Sequence, residues 1–146
     1  MFEKFKKDVI KEVKKSKPIN EAIDNLPLPE LLKMDVKLKY SFCIASLGPL
    51  LIDSEEIKAV TYGLINKKKC LVVATEKRVL FMQSKLVKNN SISIPIKQIT
   101  SVTKQNKVFS GAISIQHNNE RTEITKVPNY AIDDFVNSLN NIIMNN

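Results

Sequence analysis

From about Glu55 onward the apolar segments of the chain are short, rich in β-branched residues and separated by turn residues. In order they are EIKAVTYGLI (56–65), CLVVAT (70–75), RVLFMQ (78–83), SISIPI (91–96), ITSVTKQN (99–106), GAISIQH (111–117) and RTEITKV (121–127). Nothing between them is long enough to be the helical crossover that parallel pairing requires, so neighbours are expected to pair antiparallel. Seven short strands in one flat layer would leave an apolar face in water, and they are expected to curl into a barrel or two packed layers. TEKR reads as the hairpin between the second and third strands, with Thr75 bonding the turn backbone and Glu76 and Lys77 solvated. HNNE reads as the last hairpin turn. Leu71 to Val73 and Val79 to Phe81 are apolar without alternation, which implies cover on both faces, and the N-terminal extension is one available cover.

After Pro128 the period becomes helical. Asn129 is a candidate N-cap, and Asp133 and Asp134 fall near the positive end of the helix. Ile132, Phe135, Val136, Leu139, Ile142 and Ile143 form an apolar stripe suited to closing one end of the barrel. The first fifty residues read differently. Phe2, Phe5, Val9, Ile10 and Val13 fall on one helical face among lysines, making a basic amphipathic helix that ends before Pro18. PINEAIDNL and PLPELLKM read as short helical pieces. Val36, Leu38 and Tyr40 alternate with lysines as in a half-buried strand, and FCIASL fits either helix or strand. The division expected is an extension over 1–50 and a β-rich domain over 51–146.

The net charge of +8 concerns partners and solubility more than fold. Seven lysines against three acids fall in the first seventeen residues. Two arginines, no helix-turn-helix pattern and no evident exposed stacking aromatics argue against nucleic acid. The lone His117 sits in a turn with no nucleophile beside it. No HExxH or glycine-rich phosphate loop is present, so neither catalysis nor a small-molecule substrate is implied. Glu55-Glu56 and Asp133-Asp134 fit a loop and a helix start better than catalytic pairs. Cys43 and Cys70 lack metal-ligand spacing and read as separate reduced thiols, so no metal or cofactor is expected. The stretch FCIASLGPLLI is too short to span a bilayer and no secretory signal is read, which points to the cytoplasm, with the inner membrane face as a possible station.

The ordered set EEI (55–57), LVVATEKRVLF (71–81), IPIKQITSV (94–102), GAISI (111–115) and ITKVPN (124–129) resembles the bacterial pleckstrin-homology domains, most closely the YvbH-like subgroup. The resemblance covers about two thirds of the chain and excludes residues 1 to about 50. It implies a seven-stranded barrel capped by a C-terminal helix, acting as a binding or assembly module. In lipid-binding relatives the loop between the first two strands carries phosphate-gripping cations, and the matching position here is Asn66-Lys67-Lys68-Lys69. The following Cys70-Leu71-Val72-Val73 lacks the further basic residue common in those relatives.

Two roles follow as expectations. One is docking to a protein partner or a second copy, through Phe2, Phe5, Val9 and Val13 and the sheet edges. The other is attachment to anionic lipid through the basic helix and the loop at 66–69, with Lys67, Lys68, Lys69, Lys77 and Arg78 as anion ligands and Lys85 and Lys88 as further candidates.

Overall fold

The computed structural model describes residues 17–52, 54–83 and 91–146. The helix expected over residues 2–15, with Phe2, Phe5, Val9 and Val13, lies outside the described residues. Lys85 and Lys88 do as well.

Seven strands follow one another antiparallel: β1 (Ile57–Ile65), β2 (Lys68–Thr75), β3 (Arg78–Gln83), β4 (Ser91–Pro95), β5 (Ile99–Gln105), β6 (Ser110–His117) and β7 (Glu120–Pro128). Their order across the sheet is β4-β3-β2-β1-β7-β6-β5, so the meander folds back to lay β7 beside β1 through Leu64 and Thr125. A single 3₁₀ turn, Ile96–Gln98, separates β4 from β5, and its first amide N–H donates to the Lys77 carbonyl. Gly63 allows β1 and β7 to approach: a Cβ there would lie 2.6 Å from the Thr125 carbonyl oxygen. The C-terminal helix α4 (Asn129–Met144) lays the expected stripe into the sheet. Ile132, Phe135, Val136, Leu139 and Ile142 join Ala59, Val72, Ala74, Val79, Phe81 and Ile113 in one core.

A second core lies on the opposite face of β1–β3. Val60, Leu71, Val73, Leu80 and Met82 point outward by strand alternation and are covered by the N-terminal helices. Residues 17–24 form α1, Glu30–Lys39 form α2 and Ser41–Leu50 form α3. Ile19 and Ile23 of α1, Leu32 and Val36 of α2, and Cys43, Ile44 and Leu47 of α3 supply the covering side chains. The unalternating apolar runs in β2 and β3 therefore have cover on both faces, one from α4 and one from the extension. Lys33, buried, fastens α1 to α2 by donating to the Asp24 carbonyl (2.8 Å) and to Glu30 (3.1 Å).

Several expectations need correction. Val36 to Tyr40 is not a strand: Leu32, Val36 and Tyr40 lie four apart and are all buried, while Leu38 is 74% exposed, which is helical spacing. The segment FCIASL is helical. The loop expected over 66–69 is a two-residue turn, because Lys68 and Lys69 already belong to β2 and Ile65 pairs with Lys68. Asn66 and Lys67 both take positive φ, as this tight hairpin requires. Asn118 and Asn119 repeat the device between β6 and β7. His117 is the last residue of β6, with Nε2 2.8 Å from the Thr122 hydroxyl, and not a free turn residue. Asn129 does not cap α4. Pro128 occupies the cap position, and the Asn129 amide instead donates to the Lys107 carbonyl at 2.6 Å, holding the β5–β6 loop.

Candidate interaction site

The lysines expected to bind anions are divided by the fold. Lys67, Lys68 and Lys69 lie at one end of β2, exposed. Lys77 and Arg78 lie beyond its other end, about 23 Å along the strand at the usual rise per residue. They form no common cluster. Arg78 is also occupied: its guanidinium donates twice to Glu55, from Nε to Oε2 and from Nη2 to Oε1, both at 3.0 Å, and again to the Leu50 carbonyl.

Glu55 is the counterpart of this commitment. Its side chain is wholly buried, and its oxygens also accept from the Thr75 hydroxyl (2.6 Å) and the Ile52 amide (2.9 Å). Burial alone would raise this carboxyl, but the hydrogen bonds from Arg78, Thr75 and Ile52 outweigh it and hold the group below its usual range. The acidic start of the β-rich domain is thus a structural joint between the end of α3, the start of β1 and the β2–β3 hairpin. Asp133 is likewise paired, with Lys104. Among the described residues no group of histidines, cysteines and carboxylates is arranged to hold a metal ion.

The sequence reading missed the outer surface of the extension. α2 carries two apolar faces. Leu32 and Val36 are buried against the sheet, whereas Leu31, Met34 and Leu38 form a row on the side turned away from it; Phe42, exposed as well, lies past the break at Tyr40, in α3. On one flank of this row, Asp35 accepts hydrogen bonds from Tyr62 (3.1 Å) and Tyr130 (2.8 Å) on the same Oδ2 oxygen. This joins the extension, the sheet and α4. Burial, with the hydrogen bond to Asp35, pushes the Tyr130 hydroxyl up and keeps it a donor. The Tyr40 ring packs on Tyr62 with centroids 5.5 Å apart, and the Lys39 ammonium lies over Tyr62.

Tyr130 follows Asn129, whose amide fixes the loop carrying Val108 and Phe109. Those side chains are 85% and 93% exposed. Val108 and Phe109 are thus a second exposed apolar group, at the β5–β6 loop. Exposed apolar residues gathered in this way mark contact surfaces more often than singly scattered ones. Sequence offered a signal for this: Leu31, Met34 and Leu38 keep helical spacing, but the alternation of Val36, Leu38 and Tyr40 competed with it.

A separate cleft of about 790 Å³ runs between the α1–α2 turn, the start of β1 and the end of α4, lined by Asn25, Glu76 and Ser138 together with the apolar Leu26, Ile57 and Ile142. No helix among the described residues is long and apolar enough to cross a membrane.

A family model described as Bacterial PH domain matches residues 51–141. The match begins after α3, so α1, α2 and α3 and the exposed row on α2 lie outside it. No curated protein matches the chain.

Proposed function

The chain belongs to the bacterial PH domain family, whose members are generally non-catalytic binding modules, and on that premise we propose that it is a protein-docking and assembly module working through the outer face of its extension. The observation that carries this reading is the row Leu31, Met34 and Leu38, exposed on a helix whose opposite face is already satisfied by the sheet, with Phe42 exposed on α3. Packing of the fold does not require apolar residues there. The YvbH-like subgroup is part of the same proposal and rests on the motifs at 71–81, 94–102 and 124–129.

A second reading, attachment to anionic lipid, is favoured by the exposed Lys67, Lys68 and Lys69 at one end of the sheet, and would place the protein at the inner membrane face. Arg78 contributes nothing to it while held by Glu55 and Leu50. Light scattering across a concentration series, with cosedimentation on anionic and neutral liposomes in a salt series, separates the two. Docking predicts a mass above the monomer and no salt-sensitive liposome binding. A monomer that binds anionic liposomes, and loses them on reversal of charge at Lys67, Lys68 and Lys69, would overturn it.

A further inference from the structure

We propose that the cleft between the α1–α2 turn, the start of β1 and the end of α4 binds a short extended peptide that carries one apolar and one cationic side chain. No residue of α2 lines it, so this site is separate from the outer row and does not depend on it. Its volume, about 790 Å³, lies within the usual range for ligand pockets. One wall is a row of small polar side chains, Ser138 and Asn141 of α4 and Asn145 at its C-cap, three and four residues apart and therefore on one face. The α1–α2 turn adds Asn25. None of these side chains makes a hydrogen bond to another described residue. Each amide offers a carbonyl oxygen and an NH2 group, the complement of the N–H and C=O of a peptide group. The step from Asn141 to Asn145 is about 6 Å along the helix, close to the roughly 6.6 Å after which an extended chain presents the same edge again.

The rest of the lining selects side chains. Ile57 and Ile142, both buried, make an apolar floor beside Leu26, suited to one apolar side chain. At the β1 end, the carboxylates of Glu56 and Glu76 face the single ammonium of Lys58. Lys58 takes one oxygen of Glu56 at 3.1 Å, and the Glu56 amide takes one oxygen of Glu76 at 2.9 Å. Each carboxylate keeps its second oxygen for an incoming cation. A cleft with more acids than bases, on a chain of net charge +8, favours a cationic guest over an anionic one. No aromatic ring is among the lining residues, so a nucleotide base has nothing to stack on.

The test pans a phage library of random peptides on the immobilised full chain and measures the enriched sequences, as synthetic peptides, by fluorescence anisotropy. They are expected to share an apolar residue close to Lys or Arg. Ser138→Tyr, whose ring fills the cleft, should bind them at least about tenfold more weakly. Asn141→Ala, an exposed position with no bond to lose, should keep its melting temperature and weaken binding about threefold or more. Leu38→Glu should bind as the native chain does. No enrichment over the bare support would overturn the site, as would peptides that Ser138→Tyr and Asn141→Ala bind as tightly as the native chain. Peptides lost on Leu38→Glu alone would overturn it too, while assigning them to the outer row of α2 and leaving the docking role in place.

Discussion

Thr75 shows how closely the β2–β3 hairpin is tied to the rest of the molecule. Its hydroxyl donates to Glu55 and accepts from the backbone amides of Lys77 and Arg78 at 3.1 Å, so one side chain closes the turn and anchors a buried carboxylate. The turn role was legible in the sequence, since Thr before two charged residues is turn chemistry. The carboxylate was not, because Glu55 lies twenty residues away and reaches the hairpin only through the pairing of β1 with β2. Removing one partner of a buried pair leaves the other uncompensated, so Glu55→Ala is expected to cost about 3 kcal/mol in denaturant unfolding. The pH dependence has a definite sign. The folded-state carboxyl lies below its unfolded value, so its stabilisation is complete above about pH 4.3 and disappears as pH falls through the lower folded value. Melting curves of the native chain and Glu55→Gln should therefore be well separated at pH 7 and converge in acid; a constant gap would contradict this role. At the other end of β2, Lys67 has a φ of 66°, a conformation that a glycine adopts without strain. Lys67→Gly is expected to leave stability equal or raise it by about 1 kcal/mol, while removing one charge from the site of the lipid reading.

Among the elements, the strands were the most legible. Their β-branched runs and turn residues placed all seven within a residue or two, and the C-terminal stripe placed α4. The failures have a common cause. In α2 the apolar residues serve two faces, Leu32 and Val36 inward and Leu31, Met34 and Leu38 outward, so neither a clean helical stripe nor a clean alternation stands out. The stretch Val36 to Tyr40 mimics a strand because an inward residue, an outward one and another inward one happen to lie two apart. Substitution separates the faces. Val36→Ala should cost about 2 kcal/mol by opening a void against the sheet, whereas Leu38→Ala should fall within about 0.5 kcal/mol in folding stability. Equal costs would mean that Leu38 is packed within its own chain. At the β5–β6 loop, the anchoring amide comes from Asn129, one position inside a helix that Pro128 begins. Sequence could place an asparagine near a helix start but not tell the cap from its neighbour.

For the whole molecule, the consequence is that β1–β3 work as a shared wall. One face belongs to the core closed by α4, the other to the core closed by α1–α3. The apolar composition of β2 and β3 foretold cover on both sides, and it follows that the extension is a structural part of the molecule as well as the carrier of its candidate docking surface. The Glu55–Arg78–Leu50 joint and the Asp35–Tyr62–Tyr130 cluster lie where the extension meets the sheet and α4. Docking requires that the outer row be held on a rigid support, so its inner row must be as well fixed as the sheet beneath it.

Hydrogen exchange of the full chain, read by mass spectrometry at peptide resolution, measures this most directly. Amides of buried segments in α2 and α3, around Val36 and Ile44, should exchange on the timescale of those around Leu71 and Val73, through the same global opening. Exchange in α2 and α3 several orders of magnitude faster than in β2 would contradict the shared wall, and with it the support on which the docking surface depends.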